Sequence, residues 1–244
     1  MSEPGRVAAV VPAAGRGERL GPGAPKALRD LAGVPMLVHA VHALAQARLV
    51  DLVIVAAPPD DLADVERVLG SHEVPADVRV VAGGATREES VRSALSVLPP
   101  DVDVVLVHDA ARPLAPSELA DAVATAVRGG ADAVVPGVPV PDTIKRVGAS
   151  GEVIETMPRD ELRAVQTPQG FRREVLVAAH EAARSPADAP PRAAPATDDA
   201  ALVERIGHPV TVIAGSQEAF KVTRPLDLLL AEAVLARRRA GHVR

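Results

Sequence analysis

The residues most able to do chemistry early in the chain lie between Val10 and Leu28, "VVPAAGRGERLGPGAPKAL". An apolar run gives way to glycines at Gly15, Gly17, Gly21 and Gly23, with three cations, Arg16, Arg19 and Lys26, among them. Flexible backbone and positive charge directly after an apolar strand suit a phosphate. N–H groups around Gly15–Arg19 can cradle an anion, and Arg19 and Lys26 add fixed charge. Ala13, Ala14 and Gly15 let the main chain approach a ligand closely. A mobile Gly/Pro loop with solvated cations would carry the same letters, so the loop alone leaves both readings open. Two familiar phosphate loops do not match. A Walker loop ends in Gly-Lys-Ser/Thr, whereas Lys26 stands between Pro25 and Ala27. A dinucleotide fingerprint wants glycine where Leu20 stands, and "VAAPPDD" after the second strand lacks a clear ribose-binding acid.

Four further stretches carry polar chemistry. "VVAGGATREESV", Val80–Val91, sets Gly83, Gly84 and Ala85 between strand and helix, where small residues admit a base and Ser90 can hydrogen-bond. "LVHDAARP", Leu106–Pro113, places Asp109 straight after an apolar strand, the position of an acid that holds a divalent cation or caps a turn. "AVQTPQGF", Ala164–Phe171, reads as a compact polar turn with Thr167 and Gln169. "AFKVTRPLDL", Ala219–Leu228, brings Lys221 onto or beside a late strand, three residues after Glu218.

The elements that must position these residues alternate. Strands are predicted at Val7–Val11, Asp51–Ala57, Val78–Val81, Asp103–His108 and Ala131–Val138. Helices are predicted at Pro35–Ala47, Asp60–Leu69, from Thr86 with Glu89 completing a capping box, and at Ser117–Arg128 before Gly129–Gly130. Such alternation implies an α/β fold with a mainly parallel sheet covered on both faces. The rhythm breaks at Pro139–Val165, where "TIKRV" and "EVIET" flank a Gly/Ser turn and predict a projecting β-hairpin. A two-stranded arm is marginal in water, so a partner subunit is its expected cover, the alternative being a hairpin folded back on its own domain. Further helices are expected at Arg172–Ala183, Thr197–Ile206 and Pro225–Arg239, with Arg237–Arg239 as a solvated, dipole-favoured end. The Pro/Ala-rich Arg184–Ala196 reads as a flexible surface loop.

Composition narrows the classes. The 244 residues allow one large domain or two small ones, and the continuous alternation of elements is taken as one domain, 1–244. There is no cysteine, which removes disulfides, thiolate metal sites and thiol nucleophiles and suits a cytoplasmic location. A net charge of -5, with two Phe and neither Trp nor Tyr, argues against nucleic acid as partner. No apolar run is long enough to span a membrane, and the polar N-terminal stub does not read as a signal peptide.

Taken together, "PAAGRGERLGPGAPKAL", "GGATREESV", "VHDAARP", "PVPDTIKR", "QTPQGF", "TDDA" and "FKVTRPLDLLLAE" resemble, in order and over nearly the whole chain, the cytidylyltransferases of isoprenoid-precursor synthesis that act on 2-C-methyl-D-erythritol 4-phosphate. Ribitol-5-phosphate cytidylyltransferases share most of these motifs, and a catalytically silent nucleotide-binding protein could carry the same fold. The resemblance implies a Rossmann-like three-layer nucleotidyltransferase fold. It implies CTP as co-substrate, Mg²⁺, a pyrophosphate product and a homodimer with exchanged arms. Transferred onto this chain, it makes Arg19 and Lys26 stabilisers of the transition state. Ala13, Ala14, Gly15, Gly84, Ala85, Ser90 and Ala110 would surround the nucleotide. Asp109 would hold the metal, with Glu218 as a second metal-side carboxylate. Lys221 and the partner arm's Arg159 would place the polyol phosphate, with Arg112, Thr143, Thr167 and Thr197 completing its pocket. The chain ends soon after the last helix, which predicts no fused second enzyme.

Overall fold

The computed structural model describes residues 5–15, 26–184 and 196–241. Strand β1 (Arg6–Pro12) leads to a short hairpin of β2 (Asp30–Leu31) and β3 (Val34–Pro35), then α1 (Met36–Ala45). The alternation continues through β4 (Leu52–Ala57), α2 (Leu62–Gly70), β5 (Asp77–Ala82), α3 (Arg87–Ser96), β6 (Val102–Val107), α4 (Ser117–Arg128) and β7 (Ala133–Pro139). After β8 (Lys145–Val147) and β9 (Val153–Thr156) come β10 (Arg163–Val165), β11 (Gln169–Arg172), α5 (Arg173–Ala182), α6 (Asp199–Arg205), β12 (Val210–Ala214) and α7 (Pro225–Gly241).

One sheet gathers β12, β7, β11, β6, β1, β4, β5 and β10. The β6–β1–β4–β5 run is parallel, as is β12 on β7. β1 and β4 are apolar on both faces because helices cover both. Val7, Ala9 and Val11 point to the layer of α1, α2 and α4, whereas Ala8 and Val10 meet α3, α5 and α6. The predicted three-layer α/β architecture is therefore the observed one. Thr86 and Glu89 form the expected capping box at the start of α3. The Gly-Gly stop of α4 works through Gly130, whose φ of 111° would strain a residue with a side chain.

Three expectations need correction. The arm is narrower than Pro139–Val165, because Arg163–Val165 returns to the main sheet as β10, antiparallel to β7; only β8 and β9 stand apart. "QTPQGF" is more than a polar turn. Gln169–Arg172 form β11, a strand inserted antiparallel between β6 and β7. Gly170 is where α4 lies against it, since a Cβ there would collide with Val123. Lys221, expected on or beside a late strand, comes after one: it follows the helical turn Gln217–Ala219 beyond β12. The basic end of α7 is not simply solvated, because Arg237 and Arg238 both pair with Glu218. Most of the expected Arg184–Ala196 loop lies outside the described residues.

Candidate active site

Strand β1 ends at Pro12, and Ala13–Gly15 begin the first loop at the carboxyl edge of the sheet, where open α/β folds bind ligands. Those residues, with Ala27, Gly84, Ala85, Thr86, Ser90, Ala110, Ala111 and Thr223, line a cavity of about 250 Å³ closed on one side by Arg87, Asp109 and Lys221. The small-residue positions expected around a nucleotide thus converge on one place. The Gly83–Gly84 turn is held by buried Ser90, whose Oγ accepts from Gly84 N at 3.2 Å and donates to Thr86 O at 2.9 Å. A Cβ on Gly84 would collide with Glu89, the capping-box residue, so the turn, the cap and the cavity wall depend on one another. Arg19 lies outside the described residues. Of Lys26 only the backbone, in the turn Lys26–Leu28, belongs to them.

A second cavity, of about 210 Å³, adjoins the first. It is lined by Arg112, Thr167, Gln169, Thr197 and Asp198, and it shares Arg87, Asp109 and Lys221 with its neighbour. These three residues form the wall common to both spaces. Asp109 Oδ1 accepts from Arg87 Nε at 3.2 Å and Oδ2 from Lys221 Nζ at 2.7 Å. Burial opposes ionisation of Asp109, but the two flanking cations outweigh it and hold the carboxyl well below the usual carboxylate range. Burial likewise works against the Arg87 charge, and Asp199 and Asp109 more than offset it, so the guanidinium stays protonated. Lys221 is brought to this wall by Val222 N, which donates to Ala111 O at 2.8 Å.

The turn after β6 is fixed from beneath by buried His108. Its Nε2–H donates to Arg112 O at 3.2 Å, so Nδ1 accepts from the Thr167 hydroxyl at 3.0 Å. Thr167 Oγ1 in turn accepts from Asp109 N at 3.0 Å. Burial pushes the His108 imidazole down to about 4, which keeps it neutral and in that one tautomer. Thr167 therefore lines the second cavity and also aims Asp109. Arg112 reaches across to Ala219 O at 2.6 Å and Val165 O at 3.2 Å.

Not every expected residue joins. Glu218 lines neither cavity; its carboxylate is taken up by Arg237 and Arg238, and the hydrogen bond from Arg238 leads the effects that lower its proton affinity. Its expected place beside the metal is thus corrected: it ties the end of α7 to the segment before Lys221. Thr143 and Arg159 are exposed in and beside the arm, with Arg159 Nη1 donating to Pro141 O at 3.0 Å, and neither lines either of these two cavities. Arg87 was absent from the expected set. Its signal was present in the sequence: a cation in the first turn of α3, where the helix dipole favours acids, breaks a local rule in the way functional residues do.

Asp109 is the one carboxylate among the described residues that lines the larger cavity, and no cluster of three acids or histidines occurs among them. A single ionised carboxylate suits Mg²⁺, which keeps several waters and takes most of its protein-site ligands from substrate phosphates. Among the described residues no helix is long and apolar enough to cross a membrane.

Comparison with known proteins agrees with this geometry. Residues 7–237 match the IspD family, described as 2-C-methyl-D-erythritol 4-phosphate cytidylyltransferase. A protein of that name from Frankia casuarinae is 60% identical over 232 residues, covering 95% of this chain and 82% of its own. Another, from Streptomyces coelicolor, is 58% identical over 244 residues, covering 97% and 87%. The crystal structure of 4-diphosphocytidyl-2C-methyl-D-erythritol synthase from Anaerococcus prevotii DSM 20548 superposes with a TM-score of 0.81 at 27% identity, over 96% of this chain and 100% of that one. Two cavities meeting at one charged wall, and a match across 7–237, lead to the same conclusion: this chain belongs to the IspD family of cytidylyltransferases.

Proposed function

We propose that the chain transfers the cytidylyl group of CTP to 2-C-methyl-D-erythritol 4-phosphate, releasing pyrophosphate and forming the diphosphocytidyl alcohol used in non-mevalonate isoprenoid-precursor synthesis. The observation that carries this reading is the wall of Arg87, Asp109 and Lys221 between a backbone-lined cavity and a polar one. It puts the charged groups where a phosphate oxygen from one side would meet an α-phosphorus from the other.

The reaction brings two anions together, so catalysis is mainly positioning and charge stabilisation. No protein nucleophile is called for, in keeping with a chain without cysteine. Cytosine and ribose fit the small-residue cavity, held by the Gly83–Gly84 turn and Ser90. Lys221 and Arg112 face the polyol phosphate, with Thr167 and Thr197. Arg19 and Lys26 would stabilise the charge of the triphosphate in the transition state. Asp109 would hold a Mg²⁺ ion, which when bound supplies charge neutralisation of the triphosphate. Lys221, paired with Asp109 at 2.7 Å, would offer its charge to the incoming phosphate.

We further assign the working form as a homodimer. The arm strands expose Val147, Val153 and Ile154, each more than half accessible, and a partner would cover them and bring its own Arg159 and Thr143 to the second cavity. A cytoplasmic location completes the reading.

The test is pyrophosphate release with CTP and Mg²⁺, run with 2-C-methyl-D-erythritol 4-phosphate and ribitol 5-phosphate side by side. Turnover with the first alone is expected. Turnover with ribitol phosphate alone would move the substrate assignment, and silence with both would overturn the activity.

A further inference from the structure

Behind the wall lies a buried pair that touches neither cavity. Arg87 uses Nε on Asp109, and its Nη1 lies 2.6 Å from Asp199 Oδ2. Asp199 is fully buried in the first turn of α6, and its other oxygen accepts from His180 Nε2 of α5 at 2.9 Å. His180 is buried too; its Nδ1 has no hydrogen-bond partner, and Asp199 Oδ2 has none beyond its ion pair with Arg87. An ionised carboxylate is costly to bury, so a structure that keeps one there obtains something in return. Capping α6 is not the reason, because Asp198 is the N-cap and accepts from Ala201 N at 3.0 Å. What Asp199 does engage is a guanidinium on the wall between the two cavities. A planar fork held at two nitrogens by two carboxylates has one orientation. One of those carboxylates, Asp109, lines both cavities and is open to substrate; Asp199 lines neither.

We propose that Asp199, backed by His180, is a positioning residue that holds Arg87 on the shared wall while Asp109 is engaged with substrate. This leaves Arg87 Nη2, which has no protein partner among the described residues, for the phosphate charge. The proposal rests on the cytidylyltransferase reading.

A double-mutant cycle tests it, with Asp199→Asn, Arg87→Gln and the pair, each checked for a cooperative melt. The readouts are kcat and KM for each substrate and CTP affinity by calorimetry. Asp199→Asn alone is expected to lower kcat/KM roughly 10- to 100-fold, the range seen when a group that orients a ligand from behind is removed. In the Arg87→Gln background the same change is expected to cost less than about two-fold, because residues acting through one another are not additive. His180→Asn is expected to show a smaller loss with the same dependence on Arg87, and it carries the cycle if Asp199→Asn does not fold. Equal losses in both backgrounds would overturn the proposal, since damage to packing alone does not depend on Arg87. A wild type that binds CTP but releases no pyrophosphate would overturn the reaction alone, and the CTP-affinity cycle would still decide the role of Asp199.

Discussion

Asp109 Oδ2 accepts a 2.7 Å hydrogen bond from Lys221 Nζ across a sequence separation of 112 residues. That contact joins the turn after β6 to the segment before α7, two of the three parts of the chain that line both cavities. The pair is held from several sides. Thr167 Oγ1 accepts from the Asp109 backbone, Arg87 takes the other carboxylate oxygen, and Val222 anchors the chain beside Lys221 on Ala111.

Asp109→Asn keeps the shape and removes the charge. It leaves Lys221 and Arg87 facing a neutral amide and is expected to destabilise the protein by about 3 kcal/mol. That is the lower end for breaking a buried pair, because the Lys221 side chain is 39% exposed. Turnover is expected to fall roughly 10²-fold or more, as when one charge-stabilising group is removed from an active site. Urea denaturation and steady-state kinetics check the two parts separately.

His108 makes stability depend on pH in a defined window. Its folded value of about 4 lies below the ordinary 6.5, so the unfolded chain binds the extra proton first. Stability from this group is fully present above pH 6.5 and is lost as pH falls toward 4, at up to about 1.4 kcal/mol per pH unit. His108→Asn has no imidazole to protonate and is expected to flatten the slope of urea midpoint against pH between 6.5 and 4. Parallel slopes for the two proteins would show that His108 does not set it.

The arm gives a prediction about assembly. Val153 and Ile154 are 58% and 55% exposed on β9, and no cover for them exists within the described residues. Val153→Asp with Ile154→Asp is expected to yield monomers in light scattering and to raise KM for the polyol phosphate more than KM for CTP, since Arg159 and Thr143 then reach no partner. A persistent dimer with unchanged KM values would place the interface elsewhere.

Much of this protein was legible from spacing alone. Period-two and period-3.6 apolar patterns act over a few residues, so the alternation of β1 to β7 with its helices, the Thr86–Glu89 capping box and the stop at Gly129–Gly130 could be read without a structure. The resemblance of the ordered motifs to a known family, not spacing, brought Asp109, Lys221 and the small residues of the nucleotide cavity into one expected set. What spacing could not carry was the choice of partner. β11 looked like a turn because its four residues are too few for a periodic signal; pairing with both β6 and β7 makes it a strand. Glu218 looked like a metal-side acid because it precedes Lys221 by three residues, yet Arg237 and Arg238 reach it first from α7. The Arg87–Asp199–His180 chain joins three helices and had no local signature beyond a misplaced cation at the start of α3. A charged side chain takes its role from the charges the fold brings within about 4 Å of it, and that distance is set by the order of strands in the sheet, which only the tertiary structure decides.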